Sequence, residues 1–307
     1  MELLRLLEGI RSPFLDALFS LITRLGDETL GVVVLCAVFW CISKRIAYMI
    51  GVTYFLSGLT VQGMKICFRV ERPWIAYPTL NPLESALDRA TGYSFPSGHT
   101  QSAAALFGSL GVHVKYRTIK AVCFLIVILV AFSRLYMGVH TLSDIVASLV
   151  ISFIFILLSA LVYKNDIYNK KRDLIISLAM ALFAGAVIVI AAALYINGTI
   201  EEQYVSDCLK AAGAGVGFAA GMFIERAYIK FSVKTKNIFW QAVKLVLGIA
   251  GLLVIEEGLK LVIGTGLIVD MIRYFLMLSW VTVFYPLIIK RFFEPKEKNS
   301  AVKEANK

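Results

Sequence analysis

Apolar residues run along this chain in long, nearly unbroken stretches, and the polar residues gather in the gaps between them. A helix needs about 17 to 25 mostly apolar residues to cross a hydrocarbon core of about 30 Å. Nine segments meet or approach that length, at 28–43, 46–65, 98–115, 119–137, 141–163, 174–196, 207–229, 237–263 and 267–290. The first is the shortest. Ahead of them, residues 1–27 interleave Arg5, Glu8, Arg11, Asp16 and Arg24 with leucine and phenylalanine. That pattern predicts an amphipathic segment lying in the membrane interface rather than a signal peptide. The predicted organisation is an interfacial segment 1–27, a transmembrane core 28–163, additional transmembrane helices 174–290 and a charged tail 291–307.

Composition agrees with the pattern. Of 307 residues 59% are hydrophobic and only 17% charged, and the mean hydropathy is +0.77. The chain is therefore expected to be an all-α integral membrane protein. A net charge of +10 suits a nucleic-acid partner until the bases are placed on the spans. Lys44, Arg45, Lys115, Arg117, Lys120, Lys164, Lys170, Lys171, Arg172, Arg226, Lys230, Lys234 and Lys236 then share one face, which the positive-inside rule makes cytoplasmic, together with the tail. No nucleic-acid partner is expected. The opposite loop, 197–206, has no lysine or arginine, and nine spans put the N-terminus outside. A plasma membrane is the expected location, although Asn197-Gly-Thr is a glycan acceptor sequon on the outer face. The five cysteines show no zinc spacing, and a bridge between Cys67 and Cys208 is disfavoured, so neither metal nor cofactor is expected. Gly213, Gly217 and Gly221 line one helix face; helix packing within the molecule is favoured, with a homo-oligomer left open.

Three polar clusters change the picture from membrane protein to candidate enzyme. "KICFRVERP" carries Lys65, Arg72 and Pro73; "YSFPSGHT" turns through Ser97 and Gly98 into the third span at His99; "SRLYMGVHTLSD" carries Ser133, Arg134, His140 and Asp144. Alternating topology brings all three to the same membrane face. Lys65, Arg72 and Arg134 would surround a dianion, and arginine forks suit phosphate oxygens. Amides at Ser97 to His99 add donors at a helix N-terminus, and Gly98 permits close approach. His140 and Asp144 stand at i, i+4, so the carboxylate can take the proton of one ring nitrogen and leave the other as a nucleophile. His99 can then protonate the departing oxygen as general acid. Each residue alone would pass as an interfacial anchor or a cap; two histidines, three cations and an acid on one face would not. His113, the third histidine, lacks such neighbours and is expected to be structural.

The three clusters resemble, in order and at every motif position, the signature of the type 2 phosphatidic acid phosphatase (PAP2) superfamily, K-x6-RP, PSGH and SR-x5-H-x3-D. The resemblance covers roughly residues 46 to 163. It implies a helical-bundle core, a metal-independent membrane lipid phosphatase, a phosphohistidine at His140, His99 as the acid and the cations as phosphate ligands. Beyond that region four further spans are expected, and a nine-span, N-out plan looks like glucose-6-phosphatase. The expected substrate is a lipid phosphate or polyprenyl (pyro)phosphate presented at the extracytoplasmic face. A soluble phosphomonoester, phosphate transfer to a lipid acceptor, and a lipid transporter are the alternatives. Two regions bear on substrate choice. The loop 74–92, with Trp74 and Tyr77 and with Arg69 and Arg89 nearby, either covers a lipid entry or is a solvated loop. Glu256, Glu257, Lys260, Asp270 and Arg273 either pair or line a wet cavity, with a Glu256–Lys260 ion pair the leading expectation.

Overall fold

The computed structural model describes residues 1–164 and 168–295; the side chain of Arg89 and most of the predicted tail lie outside the described residues. Every regular element described is helical, the arrangement that lets each backbone amide find its partner within its own segment. The order is α1 (Glu2–Gly9), α2 (Pro13–Thr23), α3 (Glu28–Ala37), α4 (Lys44–Phe68), α5 (Pro73–Ala76), α6 (Gly98–Ala103), α7 (Ser109–His113), α8 (Arg117–Tyr136), α9 (Leu142–Val162), α10 (Lys170–Ile196), α11 (Glu202–Ile224), α12 (Ile238–Ile263), α13 (Leu267–Ser279) and α14 (Tyr285–Phe292). A π-helical turn, Ala104–Gly108, joins α6 to α7, and another, Trp280–Phe284, joins α13 to α14.

Seven of the nine predicted spans appear as helical runs long and apolar enough to cross a membrane. The other two differ in instructive ways. The segment predicted at 28–43 qualifies only together with α2, to which α3 is bent by 53°. The segment predicted at 98–115 is the α6–α7 run, Gly98 to His113, about 24 Å long at the helical rise. Nearly every residue from Thr100 to Gly111 is buried by neighbouring helices.

Local chemistry sets the helix ends that matter. Ser43, Asn169 and Asn237 cap α4, α10 and α12 through side-chain oxygens. Arg69 closes α4 in the left-handed region, at φ 49°, and Pro73 opens α5. Thr141 and Asp144 form a capping box that starts α9. Inside the bundle, hydroxyls and an amide stitch helices together where water is absent. Gln101 Nε2 donates to Ser57 Oγ at 2.7 Å, Ser148 Oγ donates to the Ser97 carbonyl at 2.8 Å, and Thr53 and Ser159 meet at 2.9 Å.

The glycine stripe is internal, as expected. A Cβ on Gly217 would lie 2.6 Å from the Phe275 carbonyl oxygen, and Gly213 and Gly221 are crowded more closely still, by Met271 and Thr282. The stripe therefore seats α11 directly on α13. Gly217→Val is expected to cost about 1–3 kcal/mol through forced separation of the two helices, read as a lower aggregation temperature of the purified protein in detergent. All five cysteines are free, Cys67 exposed and Cys208 buried. Among the outer charges, Lys260 pairs with Glu257 at 2.7 Å and with Glu256 at 3.7 Å, and Asp270 bonds Arg273 at 2.8 Å. His113 Nδ1 meets the Ser109 carbonyl at 2.7 Å, an intrahelical contact remote from the clusters.

Candidate phosphate site

His140 lies in the turn between α8 and α9, and the capping box that starts α9 also aims it. Asp144 Oδ2 accepts from the Thr141 amide at 2.8 Å and from Ser94 Oγ at 2.6 Å, and faces His140 Nδ1 at 3.3 Å. With that carboxylate fixed, Nδ1 carries the proton and Nε2 carries the lone pair. Nε2 in turn receives Arg72 Nη1 at 2.9 Å. His140 and Asp144 are each only 1% exposed.

Arg72 does more than the spacing implied. Its Nε donates to the Gly92 carbonyl at 2.9 Å, Nη2 to Thr91 at 2.7 Å, and Nη1 to Val139 at 3.0 Å besides His140. The guanidinium thus pins the loop before α6 to the turn that bears the nucleophile candidate, and most of its donors are spent there. Ser97 is similarly committed. Its amide bonds the Asp144 carbonyl at 3.3 Å and its Oγ caps α6 by accepting from the Thr100 amide at 3.4 Å. Gly98 and His99 are the residues of this turn that line the cavity.

That cavity, of about 380 Å3, brings Lys65, Arg72, Gly98, His99, Arg134 and His140 to one end. Arg134, 1% exposed, donates to Thr23 Oγ1 at 2.9 Å. His99 Nε2 meets Asp27 Oδ1 at 3.1 Å. Asp27, Thr23 and Ser94 were missed by the sequence reading. Asp27 sits at the corner where α2 bends into α3, outside any motif, and the only signal for it was an acid beside a glycine at the start of a predicted span.

The candidate substrate loop is strapped down. Glu8 accepts from Asn81 Nδ2 at 2.8 Å, Arg11 donates to the Asn81 and Tyr136 carbonyls, and Ser20 meets Ser85 at 2.8 Å. Trp74 is half-buried, with the Arg72 guanidinium 5.8 Å from its ring, while Tyr77 and Arg69 are exposed. The side chain of Arg89 is outside the described residues. Among the described residues, Thr91 is this loop's contribution to the cavity wall.

Burial, and then the positive charges of Arg72, Arg134 and Lys65, with His99 after them, hold the His140 imidazole well below its ordinary range. A nucleophilic histidine must be neutral, so a lowered pKa keeps it competent into more acid solution. Lys65→Gln removes one cation and makes protonation easier. The acid limb of kcat/KM is expected to shift to higher pH in this variant relative to wild type on the same substrate, whose own ionisation then cancels.

Two family profiles match the sequence. One, described as PAP2 superfamily, matches residues 45–168, and a second, described as PAP2 superfamily phosphatase, transmembrane extension, matches residues 209–297. The chain belongs to the PAP2 superfamily. Sphingosine-1-phosphate phosphatase 2 of Mus musculus is 26% identical over 238 residues, covering 75% of this chain and 64% of that protein. A probable sphingosine-1-phosphate phosphatase of Dictyostelium discoideum is 28% identical over 169 residues, 49% of this chain and 39% of that protein. The chain thus spans less than two thirds of the length of either relative. The crystal structure of Aquifex aeolicus LpxE is 27% identical, covers 52% of this chain and 92% of that one, and superposes with a TM-score of 0.45. Within the PAP2 core lie all three motifs. Thr23 and Asp27 reach Arg134 and His99 from outside it, and the PAP2 extension supplies most of the opposite cavity wall.

Proposed function

We propose that this protein is a membrane phosphatase that hydrolyses a lipid phosphate through a phosphohistidine at His140. One observation carries the reading: His140 has Nδ1 on Asp144 and Nε2 turned toward Arg72, in a cavity shared with Lys65, Arg134 and His99. Phosphate oxygens draw hydrogen bonds from Lys65, Arg134 and the Gly98 and His99 amides, and competition for Arg72 Nη1 releases the Nε2 lone pair. Nε2 attacks phosphorus, the phosphorus–oxygen bond to the leaving group breaks, and His99 gives that oxygen its proton. The same imidazole then takes a proton from the water that frees phosphate.

Charge sorting along the chain supports an extracytoplasmic site, since the clusters lie at the helix ends opposite the basic connections. The names of the two curated relatives support a lipid phosphomonoester as substrate, with a polyprenyl (pyro)phosphate as the other lipid form. The apolar wall of the cavity favours these over a sugar phosphate.

The reading is tested by incubating detergent-purified protein with lipid carrying radiolabelled phosphate, quenching in alkaline dodecyl sulfate and mapping the label. Release of phosphate with transient acid-labile label on the peptide containing His140 is expected. Turnover with label on another residue would remove the nucleophile assignment, and no turnover of any lipid phosphate would remove the function.

A further inference from the structure

A second cavity, of about 290 Å3, lies at the far end of two helices that line the first. On α4, Lys65 belongs to the phosphate cavity, and Lys44, Arg45 and Tyr48 belong to this one. The 21 residues from Lys44 to Lys65 rise about 32 Å, close to the thickness of a hydrocarbon core of about 30 Å. α11 repeats the arrangement. Asp207 and Lys210 near its start line the first cavity; Glu225 and Arg226, in the π-helical turn Glu225–Ile229 that continues it, line the second.

The floor of this cavity is buried, and its acids are already taken. Glu225 accepts from Lys44 Nζ at 2.8 Å, from the Phe231 amide at 3.1 Å and from the Tyr48 hydroxyl. Arg226 Nε donates to Asp173 at 2.7 Å, and Asp173 also pairs with Arg172 at 3.1 Å. Two lining cations remain that no acid among the described residues neutralises. Arg45, half-buried, gives Nε to the Tyr163 carbonyl at 3.1 Å and Nη2 to the Lys164 carbonyl, neutral acceptors that leave its charge in place. Lys230 stands exposed at the rim, its Nζ 5.2 Å from the centre of the Tyr168 ring. Its backbone is left-handed, at φ 53°, a conformation that favours glycine. The chain thus carries a cationic side chain where its backbone alone would suit a residue with none.

We propose that this cavity is a second binding site for a phosphate group, at the membrane face opposite His140. A guanidinium and an ammonium with donors to spare match phosphate oxygens, and Arg45 and Lys230 supply both. The rim sets the depth. Tyr168 and Tyr228 are 41% and 63% exposed, with Lys230 and Lys170 over their rings, and exposed tyrosines of this kind stand at the level of lipid headgroups. An anionic phospholipid headgroup and a small phosphate compound both present the required group. Arg45 and Tyr168 lie within the PAP2 match, whereas Glu225, Arg226 and Lys230 lie within its extension. A phosphate held between Arg45 and Lys230 therefore ties the extension to the core, and so stabilises the packing that forms the catalytic cavity at the other end of the same helices.

The test follows the unfolding temperature of the full chain in neutral detergent with three additives: dioctanoyl phosphatidylglycerol, inorganic phosphate and dioctanoylglycerol. Wild type and Lys65→Gln, in which phosphate binding at the catalytic end is weakened, are both expected to rise by about 3 °C or more with at least one phosphate probe at saturation. That is the scale on which excess ligand moves the midpoint of a chain this size. Dioctanoylglycerol, which lacks the phosphate, should not raise it. A rise with phosphatidylglycerol alone assigns the site to a lipid headgroup; a rise with inorganic phosphate assigns it to the phosphate group by itself. Lys230→Gln and Arg45→Gln, each compared with its own ligand-free midpoint, should lose most of the rise. Lys230→Arg should keep it, as should Lys234→Gln, which removes a charge outside the cavity. The site would be overturned by no rise with either phosphate probe, by an equal rise with dioctanoylglycerol, or by a rise confined to wild type and absent from Lys65→Gln. A rise that survives both cavity variants, or falls equally in Lys234→Gln, would overturn it as well.

Discussion

His140→Ala is expected to abolish phosphate release, lowering kcat by at least about 10^4-fold, while the protein still elutes as a folded species from size exclusion in detergent. The size of the effect follows from the role. A covalent nucleophile has no substitute once its lone pair is gone, and groups that act as one unit fail together, so losses of several orders of magnitude accompany removal of a single member. The fold should survive because alanine leaves the elements around it intact: the Thr141–Asp144 capping box is independent of the imidazole, and the Ser94 bond holds Asp144 in place. Measured turnover close to wild type would sink the assignment. A quench experiment on the same variant should find no label on the protein.

His99→Gln should separate two kinds of leaving group. An alkoxide leaves poorly without a proton, so hydrolysis of an alkyl phosphate is expected to fall by about 10^2- to 10^4-fold, the usual worth of a general acid. A nitrophenolate needs no proton, and formation of the phosphohistidine from p-nitrophenyl phosphate, read as a burst of nitrophenol, should change far less. Asp27→Asn follows from the 3.1 Å contact between Asp27 Oδ1 and His99 Nε2. Losing that carboxylate removes a negative charge that favours protonated His99, leaving it beside the cations Arg134 and Lys65 and close to His140. The acid form is then lost at lower pH, so the alkaline limb for the alkyl substrate should move down. Equal losses for both leaving groups in His99→Gln would point to a structural role for the histidine instead.

The helices and the motif residues were legible because both are written locally. Long apolar runs predicted the helical stretches, and seven became helices of spanning length. His140 and Asp144 sit four residues apart, so one helical turn suffices to join them. What escaped the sequence reading lies at long range or in the balance of donors. Asp27 meets His99 across 72 positions and Thr23 meets Arg134 across 111, separations at which no periodicity speaks. Arg72 looked like a free phosphate fork, yet its donors go mainly to the carbonyls of Thr91, Gly92 and Val139. Such commitments depend on where loops come to rest. The predicted third span proved short, running from Gly98 to His113, and neighbouring helices bury nearly all of it from Thr100 to Gly111.

The sequence by itself determined that this is a multi-pass helical membrane protein, because only helices of that apolar length satisfy their own backbone in lipid; that its three polar clusters share one face was an expectation from the alternation of the spans. Only the tertiary structure decided what lies beneath that face. The glycine stripe of α11 brings α13 close, α12 packs against α13 and α3, and residues of these helices and of α4 line one cavity with His140. A cavity is the space between side chains from seven separate helices, so its position follows from their packing and is carried by no single stretch of sequence.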